Sequence, residues 1–231
     1  MFADMQPKTL AIVVTFLPLI VMNLVYVMSA TAELVPSCIP YLDGCTSISR
    51  AARRGNAIFV FRACMIVQAV FLAGYWVIAR QWLNQLAGKA LRPATIMCSL
   101  GIIASLFLIL YADFLGTDGR IYRYMRQYGI IFFFTLTPFA QMIMVNELFK
   151  LTKQQNFSPL YIAVIRYQIG VVICILALGL ISLFLSYSGN SSFERENILE
   201  WNYAVLMSIF HLGSCLLWGD VKIHISVKQR E

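Results

Sequence analysis

Six long, mostly apolar stretches run through this chain, and stretches of that length have few places to go. They lie at roughly 9–30, 57–79, 93–114, 128–149, 161–187 and 201–223. A helix needs about 20 such residues to cross the hydrocarbon core of a bilayer. The other spanning form, a β-barrel, shows alternating segments of about ten residues. These runs are unbroken and roughly twice that length, so they predict helices. The chain has 231 residues, 60% hydrophobic and 13% charged. An average soluble domain is about 45–50% apolar and about 25% charged. The composition therefore excludes an ordinary soluble domain, a disordered chain and a cysteine-stapled secreted miniprotein. The expected fold class is all-α: a single transmembrane domain over residues 1–231, polytopic, a six-transmembrane-helix bundle with a long first extracytoplasmic loop.

The first run carries Ala30-Thr31-Ala32, which resembles a signal-peptide cleavage site. Its apolar length of about 20 residues exceeds the usual 7–15 of such a peptide, so an uncleaved span is expected. Most connections are short. The exception is 31–56, rich in Pro, Ser and Gly, and loops carry function more often than scaffolds do.

The net charge is +7. The basic residues flank apolar runs, so anionic lipid headgroups rather than nucleic acid are the expected partners. With six spans both termini share a side. That side carries nine bases, Lys8, Arg80, Lys89, Arg92, Lys150, Lys153, Lys222, Lys228 and Arg230, among them every lysine, whereas Arg50, Arg53, Arg54, Arg120, Arg123, Arg126 and Arg195, seven in all, populate the other. Lysine and arginine concentrate on the cytoplasmic side, so both termini are expected there. The membrane is an endomembrane or the plasma membrane, or the inner membrane of a bacterium. The arginine-only face has two readings. Guanidinium forks grip phosphate bidentately, or the side chains snorkel and form interfacial ion pairs.

That orientation places Cys38 and Cys45 together in the long loop. Their spacing is compatible with a disulfide in an oxidising compartment; the alternative is two free thiols. The other cysteines lie within spans and give no zinc pattern, so no metal is expected. No cofactor motif is present either. Asn190-Ser191-Ser192 is a glycosylation sequon on the same face.

Ionisable groups at membrane depth are costly and usually paired or functional. Arg62 lies about five residues inside the second span, roughly 8 Å from its outer end. Asp113 closes the third span and Glu200 opens the sixth. The three share a level beneath Arg50, Arg53 and Arg54. They are expected to converge, either as a polar headgroup pocket or as an Arg–carboxylate pair that lets three helices close. His211 falls near mid-bilayer, with Gln68 and Gln141 as possible partners.

Catalytic signatures are absent: no GxSxG, HExxH, P-loop or nucleotide-binding glycine pattern occurs. A loop serine, Ser47 or Ser49, would lie about 15 Å in depth from His211, which argues against a triad. Pro18 and Pro138 do not occupy matching places in two halves, as broken transporter helices would.

The residues resemble one family. Pro40–Arg62, Asp118 after the third span and Asn197–Asp220 are similar to segments of the DRAM/FRAG/SFK membrane proteins. Its members have a Glu-Trp pair at the outer end of the final span and an Asp about twenty residues later. Here these are Glu200, Trp201 and Asp220. Ser47-Ile48-Ser49 is closer to the branch that remodels GPI-anchor lipids than to the autophagy modulators. The resemblance implies a role in lipid organisation, trafficking or autophagy, and it supplies no catalytic residue. The expected function is non-enzymatic, through binding of membrane phospholipids or protein partners within the membrane. A lipid-remodelling enzyme and a small transporter or channel subunit are the alternatives.

Overall fold

A computed structural model describes residues 6–189, 192–219 and 221–222. The described residues form helices and no strand. In chain order these are α1 (Pro7–Thr31), α2 (Pro40–Asp43), α3 (Ile48–Ala52), α4 (Ala57–Ala87), α5 (Arg92–Phe114), α6 (Arg120–Thr152), α7 (Pro159–Tyr187) and α8 (Phe193–Leu217). Five of them, α1, α4, α5, α6 and α7, are long and apolar enough to cross a membrane. The chain is a membrane-embedded, multi-pass helical protein. The last long helix, α8, has 25 residues, as α1 does. It is more polar, carrying Glu200, Asn202 and His211.

Three helices outrun their apolar segments, α8 among them, since it begins at Phe193 rather than near 201. α4 continues past Arg80 to Ala87, and α6 begins at Arg120 rather than near 128. Hydropathy marks where lipid contact ends, but Arg, Gln and Leu at these ends are good helix formers. Helix and apolar run therefore stop at different places. The segment 31–56 is not an irregular loop. Pro40 starts α2 and Gly44, at φ 62°, ends it. Ser47 starts α3 by accepting a hydrogen bond from the Arg50 N–H at 3.1 Å.

The long helices close a ring in the order α1–α4–α5–α6–α7–α8, with α8 returning beside α1. The α5–α6 seam is the tightest. Gly129 on α6 makes this possible, since a Cβ there would sit 2.7 Å from the Tyr111 backbone nitrogen. Small residues let helix backbones approach where no water drives packing. The α6–α7 seam is the loosest in the ring. The buried residues of α7 run only from Val164 to Ile175, and its remaining turns hold no buried residue.

Two apolar clusters fill the ring. The larger, around Tyr75, Trp76, Met144 and Phe210, lies toward the end that carries the termini. The smaller, around Val21, Phe61, Leu108 and Trp201, lies toward the end that carries α2 and α3. No α7 side chain is buried in the second cluster, so at this loop end the ring is open between α6 and α7.

Candidate functional site

The segment bearing α2 and α3 is fastened to the first turns of α8. The Trp201 indole Nε1–H donates to the Thr46 carbonyl at 2.8 Å. The Asn197 side chain donates to the Gly44 carbonyl at 2.7 Å, and Asn202 donates to that of Tyr41 at 3.0 Å. Tyr26 and Tyr41 meet the fully buried Trp201 ring edge-on. Cys38 and Cys45 are joined by a disulfide with a Cα separation of 6.5 Å. The Tyr26 hydroxyl donates to the Cys38 carbonyl at 2.8 Å. Trp201 is thus an anchor for the loop. Its neighbour Glu200 points a different way, as consecutive helical residues must, and lines the interior of the ring.

Several side chains gather around Glu200. The backbone N–H groups of Ile48 and Ser49 face its carboxylate. The Arg53 Nη2 donates to Ser49 Oγ at 3.1 Å, and its Nε donates to the Ser49 carbonyl at 3.1 Å. Ser47 and Ser49 lie 3.4 Å apart, oxygen to oxygen. The Tyr111 hydroxyl reaches the Ser49 side chain. Arg126 approaches from α6, close enough for its charge to act on Arg53. Burial, and next the Arg126 charge, pull the Arg53 guanidinium below its ordinary value against an opposing effect of Tyr111; Arg50 and Arg54 add smaller effects of the same sign as Arg126. The groups around Ser49 Oγ are a guanidinium, a hydroxyl and a phenol. The Glu200 carboxylate stands against the Ser49 backbone N–H.

Of the residues singled out in the sequence, Ser47, Ser49, Arg53 and Glu200 come together. Arg50 lies beside them, its guanidinium 4.1 Å from the Phe193 ring centroid. Arg54 is exposed on the same rim. Arg62 and Asp113 do not join. The Arg62 Nη2 donates to the Leu115 carbonyl at 2.6 Å and to Thr117 Oγ1 at 3.0 Å. It forms no ion pair with Asp113 or Glu200 among the described residues. The expected convergence of Arg62, Asp113 and Glu200 is corrected here. Leu115 caps the C-terminus of α5, where carbonyls lack helical donors and a cation is favoured. That backbone outcompetes the carboxylates. Asp113 is exposed. Asp220 and the sequon residues Asn190 and Ser191 lie outside the described residues.

The sequence missed Tyr111 and Arg126 as members of the site. A signal for Arg126 existed. Arg126, Ile130, Phe134 and Thr137 fall at helical spacing on one face of α6, and Ile130, Phe134 and Thr137 line the interior.

Glu200 stands at the junction of two hollows. One is a narrow crevice of about 80 Å³ inside the ring, lined mostly by apolar side chains such as Ile48, Phe61, Leu72 and Met207, with Gln68, Thr137, Ser208 and His211 among them. The other is a lateral groove of about 660 Å³ between α6, α7 and α8. Its walls are mostly apolar, including Phe134, Phe139, Leu176 and Leu183, with Thr135 and Ser182 among them, while Glu196 and Glu200 stand at its loop end. Ile130, Phe134 and Glu200 line both hollows.

His211 is not paired as expected. Gln68 donates instead to the Val14 carbonyl and Gln141 to the Met207 carbonyl, each at 3.0 Å. His211 packs against the rings of Tyr75, Trp76 and Phe210. No group of three or more metal-ligating side chains occurs among the described residues. Neither a protein-family model, nor a curated protein, nor a solved structure matches the chain.

Proposed function

We propose that this chain is a six-span, non-enzymatic membrane protein that takes a phospholipid laterally from the leaflet at its loop end. The observation that carries the reading is the groove between α6, α7 and α8, apolar along its walls and capped at one end by charged side chains. An acyl chain suits the walls. A phosphate suits the rim, where Arg53 and Arg126 are near each other and neither makes an ion pair within 4 Å among the described residues. Arg126 lies one turn beyond Ile130 on α6, directly above the groove. Glu196 and Glu200 offer the opposite sign, so a headgroup with an amine beside its phosphate meets both. The resemblance to DRAM/FRAG/SFK proteins supports the same class of role, in lipid organisation, trafficking or autophagy.

In this reading α8 is the sixth span. Its polar side chains turn toward the ring, where Asn197, Trp201, Ser208, His211 and Ser214 are buried. The lysine partition puts both termini in the cytoplasm and the loop end outside. The disulfide agrees with an oxidising compartment there.

Lipid analysis of the purified protein tests the proposal. Arg126→Ala should lower retained phospholipid about tenfold at unchanged fold, the loss of roughly one charge-assisted contact of 1.5–3 kcal/mol. Arg126→Lys should restore it in part, because an ammonium lacks the bidentate fork. Equal retention by folded Arg126→Ala and the native chain would overturn the reading.

A further inference from the structure

The segment that joins α1 to α3 dips back along the bundle. Asn202 of α8 donates to the Tyr41 carbonyl, and Asn23 of α1 donates to the Tyr41 hydroxyl at 2.8 Å. Asn23 lies about seven residues inside the apolar run that ends near 30, a depth of roughly 10 Å. Asn202 lies nine positions into α8, roughly 13 Å from its start. Both anchors stand well below the loop ends of their helices, and they hold α2 at that level. Gly44 lies against the Glu194 backbone in the first turn of α8, so the chain climbs back toward water within a few residues.

This strap lies on the outside of the ring. Asn202 is two positions past Glu200, about 200° round the helix, and Glu200 lines the interior; Asn202 therefore faces outward. Asn23 shares its face of α1 with Phe16, Ile20, Leu24 and Val27, all of them exposed. On a spanning helix such a face meets acyl chains.

Main-chain polar groups at that depth have no water to turn to and must be met by protein. The carbonyls of Cys38, Tyr41, Gly44 and Thr46 accept from the side chains of Tyr26, Asn202, Asn197 and Trp201. The Cys38 N–H donates to the Tyr26 hydroxyl at 2.7 Å, and the Ile39 N–H to the Asp43 carboxylate at 2.8 Å. The Leu42 and Asp43 N–H groups both donate to the Ile39 carbonyl, and that of Gly44 to the Pro40 carbonyl. A loop standing in water would not need side chains of α1 and α8 to satisfy its carbonyls. The same arrangement leaves Ile39 and Leu42 pointing away from the protein, 56% and 70% exposed.

We propose that α2, with Ile39 before it, is a re-entrant strap seated at the boundary between headgroups and acyl chains, in the leaflet at the loop end, and that Ile39 and Leu42 bind the acyl chains there. An amphipathic segment at a membrane interface sinks its apolar side about 5–10 Å into that boundary, the depth that Asn23 marks. Asp43 is exposed and stays among the headgroups. The surface lies outside α1 and α8, apart from the groove between α6, α7 and α8, and it depends neither on that groove nor on which side of the membrane the loop end faces.

The test places the photo-crosslinking residue p-benzoylphenylalanine at Leu42 in the full chain, purified and reconstituted in phosphatidylcholine vesicles. The same residue at Asp118, exposed in the connection between α5 and α6, is the water-facing reference. Illumination of the Leu42 variant should add the mass of a phosphatidylcholine to the chain. Mild alkali, which cleaves the lipid esters, should then leave the mass of a fatty acid, since the new bond is to an acyl carbon. The Asp118 variant should gain no lipid. Placement at Ile39 gives the same readout if the Leu42 variant does not fold. No lipid adduct at either strap position, or as much at Asp118, overturns the proposal. So does an adduct that alkali reduces to the headgroup alone, which would put the strap above the acyl chains. A crosslinked pair of chains in place of the lipid adduct would show a second copy covering the surface, and overturns it as well.

Discussion

Gln68 on α4 donates a hydrogen bond of 3.0 Å to the Val14 carbonyl on α1, the carbonyl that Pro18 leaves without a helical donor. Proline has no N–H, so the residue four positions earlier loses its bond. In a bilayer no water replaces it. The same remedy recurs on α6. Pro138 frees the Phe134 carbonyl, and the Tyr203 hydroxyl of α8 donates to it at 3.1 Å. Each proline thus creates an acceptor that a neighbouring helix satisfies, and each pair ties two helices together at a fixed register.

Gln68→Leu should lower stability by about 1–3 kcal/mol, since it strands a buried carbonyl. Pro18→Ala supplies the missing N–H from within α1. The double variant should therefore lose less than Gln68→Leu alone, with a coupling of about 1 kcal/mol. Thermal unfolding of the four proteins in detergent measures the cycle. Additive losses would show that the two residues do not act through the Val14 carbonyl.

Arg62→Ala should reduce the yield of folded protein, because it removes a charged donor from the α5 C-terminus. Charge-assisted bonds of this kind contribute about 1.5–3 kcal/mol each. Phospholipid per folded molecule should stay at the native level. Size-exclusion yield with lipid analysis separates the two quantities, and selective lipid loss would place Arg62 in the headgroup site after all.

Gly129→Ala should destabilise the bundle, since the added methyl meets the α5 backbone at Tyr111 rather than a side chain that can turn away. Overpacking of this kind costs about 1–3 kcal/mol. Gly170→Ala has nothing within 4 Å to meet and should be neutral or slightly stabilising through helix propensity. Melting temperatures of the two variants should differ in that order.

Cysteine labelling tests the orientation and the disulfide together. In sealed vesicles with the loop end outward, an impermeant maleimide should miss a cysteine placed at Lys153. It should reach Cys38 and Cys45 only after reduction. Closing so short a loop removes about 2–3 kcal/mol of chain entropy from the unfolded state, so reduction should also lower the melting temperature.

The helices were legible in the sequence because lipid imposes a simple rule: about 20 apolar residues and no open backbone. Five spanning helices follow from that rule directly. The loop disulfide was legible for a similar reason, since few residues separate Cys38 from Cys45. The candidate site was legible only in part. Depth along a helix can be counted, and it placed Arg62, Asp113 and Glu200 at one level. Depth says nothing about which way each side chain faces or what backbone stands nearby. Arg62 faces the end of α5, Asp113 faces outward and Glu200 faces inward.

The sequence by itself determined that this chain lives in a membrane as helices, because hydrophobic length and charge placement are local quantities that one strand of text records. The tertiary structure alone decided that α6 and α7 part at the loop end, that Arg126 stands by Arg53, and that Gln68, Thr137 and His211 line one crevice. These depend on the order of helices around the ring and on their rotation about their own axes. Packing sets both, through contacts such as Gly129 against Tyr111, between residues that stand far apart in the chain.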